Sequence, residues 1–460
     1  MAHFLAPLMQ KILHSLAFAI TGSVAFCMLF LQVFPILHDY PEWMYQGWIF
    51  SQLLSGDNTA LSERFELVTY PVPNIISQVV IGLLNFSVTP VLAGKLWLGL
   101  YFVAASALWF RVSQLRGGPA AGALHLLLTV MITLGPGFWN GYLNFQVALL
   151  LFALAVHLTV SGKRYNGYMV CGFSLLLFFS HAVVFAAFVG FSLLVGASIH
   201  RRYWLYTMVA LLPSLLLAMW YAAIRLANPV DDDRSMSVIE WVQYKAYTLA
   251  KQGPFHNFIG HDGKSGLEEL HWLYQVGFIS NFLVAILLIC WFFWLCWWLI
   301  QKKLPLVFQS VNTARENWLV PVVVTIGLLL AGFLAGSQNT FGVVNIGERF
   351  LIIGMLLVLM FFRCPEPLRH SLVVICVIFS FYSLTATYLL SRKSLEIYSV
   401  ERSSEISDLQ QYLGNIYAST RHKHFNHRVF IYADRGVELT HAEPVLLAVD
   451  LETSVIRNRH

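Results

Sequence analysis

The sequence predicts an all-α polytopic membrane protein of about eleven transmembrane helices. It adds interfacial helices in a first outer loop and a small α+β C-terminal appendage. Three observations carry that prediction. Of 460 residues, 58% are apolar and only 12% are charged. A soluble domain carries about 25% charged residues, so this chain cannot cover itself with polar surface and its main solvent must be lipid. Apolar runs recur at lengths suited to the roughly 30 Å hydrocarbon core. Lysine and arginine gather in alternate short loops. The 35 Phe and 14 Trp residues fit many interface-anchored helices.

The first run, 12–36, is long and lacks a small-residue cleavage site, so it is expected to stay as a signal anchor. The next segment, 37–91, holds Asp39, Glu42, Asp57, Glu63, Arg64 and Glu66. Within it, the stretch after Pro41 is aromatic and amphipathic, with Trp43, Tyr45, Trp48 and Phe50, and reads as a helix in the interface plane. Residues 74–86, introduced by Pro71-Val72-Pro73, are apolar but too short to span. They read as a second interfacial helix.

Further spans are expected at 92–112, 119–135, 142–161, 167–182, 183–199, 203–225, 273–301, 317–336, 349–363 and 370–391. The pair 167–199 is one apolar stretch broken at Ser180-His181, too long for one span, and reads as a hairpin of two short helices. With the first span leading outward, the inner loops hold Arg111 and Arg116, Lys163 and Arg164, Arg201 and Arg202, Lys302, Lys303 and Arg315, and Arg363 and Arg369. The outer turns 136–141 and 180–183 hold no Lys or Arg. The charge pattern therefore puts the N-terminus in the cytoplasm and Asp39 outside, together with 226–272 and the tail. The compartment follows as a bacterial inner membrane, or the ER membrane if the source is eukaryotic. The division is 1–391 for the membrane domain and 392–460 for the appendage. The appendage shows a helical pattern at Glu401–Leu413 and a strand pattern, HRVFIYAD, at 427–434. The six cysteines lie in or beside apolar runs, without metal or disulfide spacing. No repeat and no nucleic-acid motif is found.

Four polar features fall on the expected outer face. Asp39 follows the first span directly, flanked by His38, Pro41 and Glu42. A carboxylate held where water meets lipid suits a general base, though acids commonly follow span ends. His181 interrupts an apolar hairpin; an ionisable group there signals function by default, or else a buried histidine bonded to a neighbouring helix. Arg349, in NIGERFLII, sits on the side where the charge rule does not place cations and suits a lipid phosphate. Its plainer readings are a snorkelling arginine or a pair with Glu348. Lys95 is a weaker cation of the same sort. The turn GPGFWNGYLNF, 135–145, offers Asn140 and Asn144, or is a plain connection.

This layout resembles the GT-C superfamily of polytopic glycosyltransferases, which use polyprenyl- or dolichyl-phosphate-linked sugars. The resemblance rests on the acid after the first span in HDYPEW, interfacial helices like 41–55 and 74–86, basic inner doublets, His181 at a hairpin tip, and Arg349-Phe350 opening a late span. It covers about residues 10–390 as architecture. It implies an inverting transfer from a polyprenyl-phosphate-sugar donor to a glycan, lipid or protein acceptor. Asp39 and Glu42 would be the catalytic acids. His181, Arg349 and Lys95 would bind the donor phosphate, and His38, Trp43, Tyr70, Asn140 and Asn144 would line the cavity. Metal-using members carry acids in the second outer loop. Here 136–141 has none, which favours a mechanism without a divalent metal or other cofactor. The expected partners are the donor, the acceptor and membrane lipids, and no nucleic acid. The rivals are a lipid-linked saccharide polymerase or ligase, which would depend on 226–272 rather than on Asp39, and a flippase, which should show inverted repeats or broken helices.

Overall fold

The structure, a computed structural model, describes residues 2–32, 35, 37, 39–56, 62, 65–114, 116, 118–160, 166–199, 201–227, 237–250, 271–301, 319–336, 339–340, 343–403 and 456–458. It is an all-α protein. Six helices are long and apolar enough to cross a membrane: Ala6–Leu31, Pro90–Ser113, Pro119–Trp139, Arg202–Ala227, Gln275–Trp298 and Glu366–Leu389. Shorter apolar helices cover Leu143–Thr159, Gly167–Ser180, Ala182–Ser198 and Val320–Ala335. Apolar stripes on the outer surface explain why such a fold needs lipid. On one helix Leu92, Leu96, Leu100 and Val103 stand exposed at helical spacing; on another, Leu205, Val209, Leu212 and Leu216 do the same.

Helix α1 (Ala2–Phe26) runs into a π-helical turn, Cys27–Leu31. It stops five residues short of the expected end at 36. Pro35 has no N–H to give the Leu31 carbonyl, and Gln32 turns extended with φ −90° and ψ 137°. Helix α2 (Tyr40–Ser55) follows, ended by Gly56 in the left-handed region. Helix α3 (Ile76–Leu84) packs on α2. Their backbones meet at two glycines: a Cβ on Gly82 would lie 2.8 Å from the Gly47 carbonyl oxygen.

Helix α4 (Pro90–Ser113) starts at Thr89, whose hydroxyl accepts from the Leu92 amide. Helix α5 (Pro119–Leu128) ends in a π-helical turn, Thr129–Thr133, and a single helical turn, α6 (Pro136–Trp139), follows. This stretch is enclosed by its neighbours. The π turn shifts the backbone pairing. The Thr133 carbonyl accepts from the Tyr101 hydroxyl at 3.1 Å, and its hydroxyl accepts from the Trp109 indole at 2.7 Å. Helices α7 (Leu143–Val160), α8 (Gly167–Ser180), α9 (Ala182–Ile199) and α10 (Arg201–Ala227) complete the first part of the bundle. The α8–α9 hairpin breaks at His181, which is extended, with φ −167° and ψ 120°.

Helix α11 (Val238–Ala250) lies within the 226–272 segment. Helices α12 (His271–Ile300), α13 (Leu319–Ala335), α14 (Ile346–Phe361) and α15 (Glu366–Ser403) follow. Helix α15 continues past 391, so the helical chain crosses the expected domain boundary without a break. Two short strand pairs accompany the helices. Strand β1 (Phe65–Leu67) pairs antiparallel with β4 (Ile456–Asn458), and β2 (Asn339–Thr340) pairs with β3 (Val343–Val344). The strand pattern at 427–434 and most of the 401–413 pattern lie outside the described residues.

Candidate functional site at the Asp39 end of the bundle

Asp39 is the N-cap residue of α2, and its side chain makes no capping bond to that helix. The position is set instead by the turn after α6. The Asp39 amide donates to the Asn140 carbonyl at 3.1 Å, and the Trp43 indole donates to the Gly141 carbonyl at 3.1 Å. Gly141 has φ +73°, and a Cβ there would stand 2.5 Å from the Asp39 nitrogen and 2.6 Å from that of Tyr40. Only glycine lets the two backbones approach so closely. The Tyr40 hydroxyl ties the same corner to α4 by donating to the Gly94 carbonyl at 2.6 Å.

The same turn is stitched to α3. Asn144 spends both ends of its amide there: Oδ1 accepts from the Ser77 amide at 2.8 Å and Nδ2 donates to the Asn74 carbonyl at 2.6 Å. Asn74 itself is left-handed, at φ 69°. The Ile75 amide donates to the Phe179 carbonyl at 2.9 Å, just before the break at His181. The first loop, the 136–144 turn and the tip of the α8–α9 hairpin therefore form one hydrogen-bonded unit.

Arg349, in the first turn of α14, reaches this unit from the other side. Its Nη1 donates to Nε2 of His181. The guanidinium lies over the Tyr142 ring, 4.9 Å from its centroid, and 5.9 Å from that of Phe145. Phe145 in turn meets the His181 ring edge-on at 5.0 Å. Tyr142 lies within the electrostatic reach of Asp39, Arg349 and Glu348, and within hydrogen-bonding reach of Asn345. Glu348, beside Arg349, is buried.

The protonation pattern follows from this contact. An arginine only donates, so Nε2 of His181 is the acceptor and the ring proton of the neutral imidazole sits on Nδ1. Among the described residues Nδ1 of His181 and Nε of Arg349 are both buried without a hydrogen-bond partner. Two unspent donors are thus held at one contact. Each unpaired buried donor costs about 1–3 kcal/mol, and a ligand presenting oxygen acceptors relieves that cost.

Of the residues singled out in the sequence, Asp39, Trp43, Asn140, His181 and Arg349 come together. Asn144 is committed to the backbone at 74–77. The Lys95 ammonium donates to the Gln32 carbonyl at 2.7 Å, which ties it to the end of α1. Tyr70 is half-buried between β1 and α3. His38 lies outside the described residues, and of Glu42 only the helical backbone is described. Tyr142, Phe145, Asn345 and Tyr244 went unrecognised. Tyr142 and Phe145 lie inside the polar turn motif and Asn345 opens NIGERF, so position was the available signal. Among the described residues no group of three His, Cys, Asp or Glu side chains converges as a metal site requires.

The fold defines an integral, multi-pass membrane protein with a polar site at one end of its bundle. Comparison of the chain with models of protein families, with curated proteins and with solved structures finds no match.

Proposed function

We propose that the protein is an inverting glycosyltransferase that moves a sugar from a polyprenyl-phosphate-linked donor to an acceptor at the outer membrane interface. Its eleven apolar runs cross the membrane, α2 and α3 lie in the interface, and the Asp39 end faces away from the cytoplasm. The observation that carries the reading is the Arg349–His181 contact with its two buried, unspent donors. A phosphate oxyanion matches such a pair. The Asp39 backbone is bonded to the turn that carries Tyr142, over whose ring the Arg349 guanidinium lies, and this supports a role for the Asp39 carboxylate beside the phosphate.

In this mechanism Asp39 takes the proton from an acceptor hydroxyl as its oxygen attacks the anomeric carbon. The bond from that carbon to the phosphate oxygen breaks with inversion. Arg349 and His181 stabilise the charge that gathers on the leaving polyprenyl phosphate. No metal is needed for these steps.

The test compares the wild type with Asp39→Asn in nanodiscs, using polyprenyl-phosphate-linked sugars. The wild type is expected to release polyprenyl phosphate, while Asp39→Asn binds the donor as tightly and does not turn over. If the wild type binds no lipid-linked sugar, the reading fails. A second reading has one observation in its favour: α11, from 226–272, reaches the site through Tyr244. A lipid-linked saccharide polymerase or ligase would lose activity through changes in 238–250 and retain it in Asp39→Asn.

A further inference from the structure

Helix α11 takes no part in the chemistry above, yet it is firmly built and firmly fastened. Its start is a reciprocal capping box. The Ser237 amide donates to Glu240 Oε2 at 2.8 Å, and the Glu240 amide donates back to the Ser237 hydroxyl at 3.3 Å. One face, with Val238, Ile239 and Val242, stands exposed. The opposite face grips the connection between α13 and α14.

Three side chains make the grip. The Trp241 indole donates to the Leu334 carbonyl at 3.1 Å. The Lys245 ammonium is buried, and donates to the carbonyls of Phe333 and Gly336. These carbonyls end α13, where helical donors run out and the helix dipole favours a cation. The ammonium also lies over the rings of Tyr244 and Phe333, at 5.1 and 4.8 Å. It would stand 3.1 Å from a Cβ on Gly347, so the start of α14 is shaped around it.

Tyr244 completes the link. Its hydroxyl donates to Asn345 Oδ1 at 3.3 Å. Burial pushes that hydroxyl up to about 12, so it remains a protonated donor. Asn345 is left-handed, with φ 56°, and makes no capping bond with its own side chain. A non-glycine residue holds that conformation only when its surroundings fix it. Its amide lies between Tyr244 and Tyr142, and its carbonyl accepts from the Arg349 amide at 3.4 Å. The path from α11 to Arg349 is one turn of helix.

We propose that α11 is a positioning strap for Arg349: Tyr244 and Lys245 clamp the turn from Asn345 to Arg349 and so set the point at which the guanidinium meets its anionic ligand. The ligand part of this inference rests on the phosphate reading of the site, whereas the clamp itself does not. Both are positioning residues: Tyr244 acts through Asn345, and Lys245 through the end of α13 and Gly347.

The experiment uses full-length protein in nanodiscs and compares Tyr244→Phe and Lys245→Met with the wild type. Val242→Ala, on the exposed face, is the control. Deuterium uptake at 345–349 and affinity for polyprenyl phosphate are measured together. Both test variants are expected to raise uptake at 345–349 but not in α5 or α7, and to weaken binding about three- to tenfold. Val242→Ala should change neither. Tyr244→Phe removes a single hydroxyl, so it keeps the test meaningful if Lys245→Met fails to fold. Unchanged uptake at 345–349 in Tyr244→Phe overturns the strap. Raised uptake with wild-type affinity also overturns it, because the clamp then does not serve the site. If the wild type binds no polyprenyl phosphate, the phosphate reading falls, and uptake alone decides the clamp.

Discussion

Gly141→Ala should displace Asp39 without touching any charged group. Glycine at 141 has φ +73°, where an alanine costs about 1–2 kcal/mol. The added carbon would stand 2.5 Å from the Asp39 nitrogen and 2.6 Å from the Tyr40 nitrogen. Comfortable contact needs about 3.5 Å, so the start of α2 must retreat by about 1 Å. Two hydrogen bonds cross this gap, Asp39 to Asn140 and Trp43 to Gly141, both at 3.1 Å. A retreat of that size breaks both, at about 1 kcal/mol each. The sum is about 3–4 kcal/mol. Unfolding by SDS titration in mixed micelles measures it. A double-mutant cycle identifies its origin: Trp43→Phe removes one of the two donors, so it should cost about 1 kcal/mol less in the Gly141→Ala background than in the wild type. Full additivity, or a loss under 1 kcal/mol for Gly141→Ala alone, would refute the claim that this close approach fixes Asp39.

Two further outcomes follow from Arg116 and Lys245. The buried Arg116 donates to the carbonyls of Leu359 and Phe362 at the C-terminal end of α14, the latter at 2.7 Å. Arg116→Ala should destabilise the protein by about 3 kcal/mol or more in the same titration, since charge-assisted bonds contribute about 1.5–3 kcal/mol each; Arg116→Lys should recover part of the loss. Burial pulls the Lys245 ammonium from an ordinary 10.5 down to about 8. The unfolded chain then binds more protons between those two values, so stability should rise with pH from about 8 to about 10.5 and lie at its lower plateau below 8. Lys245→Met should abolish that slope, and a wild type without it would contradict the assignment.

The division between what the sequence disclosed and what it hid has a physical basis. Helices here are set by apolar runs, and the described residues of the runs read as spans are mostly helical. His181 and Arg349 were visible because a charged or titratable group in an apolar stretch is costly and needs a reason. Their partners were not visible, because those partners look ordinary. A tyrosine beside a turn, such as Tyr142, is unremarkable until a guanidinium lies over it. Arg116 read as one more inner-loop cation, yet its guanidinium caps α14. Nothing in the sequence marks Lys245, yet its ammonium caps the end of α13. For Arg116 and Lys245 the partner is a backbone carbonyl, which every residue carries and no sequence pattern marks.

The strand pair between β1 and β4 shows the same limit at longer range. Residues 65–67 and 456–458 are too short to stand out as strands, and their pairing depends on where the helices place them. Its consequence concerns topology. Two segments that exchange backbone hydrogen bonds must lie on the same side of a membrane. The pairing therefore ties the side of 456–458 to that of the first loop, where Asp39 sits. The basic loops predict the same shared side on independent grounds. Cysteine labelling at 67 and at 456 by an impermeant reagent tests the conclusion directly. Both positions should label from the same side of sealed, oriented vesicles, and opposite labelling would break the pairing and the membrane topology together.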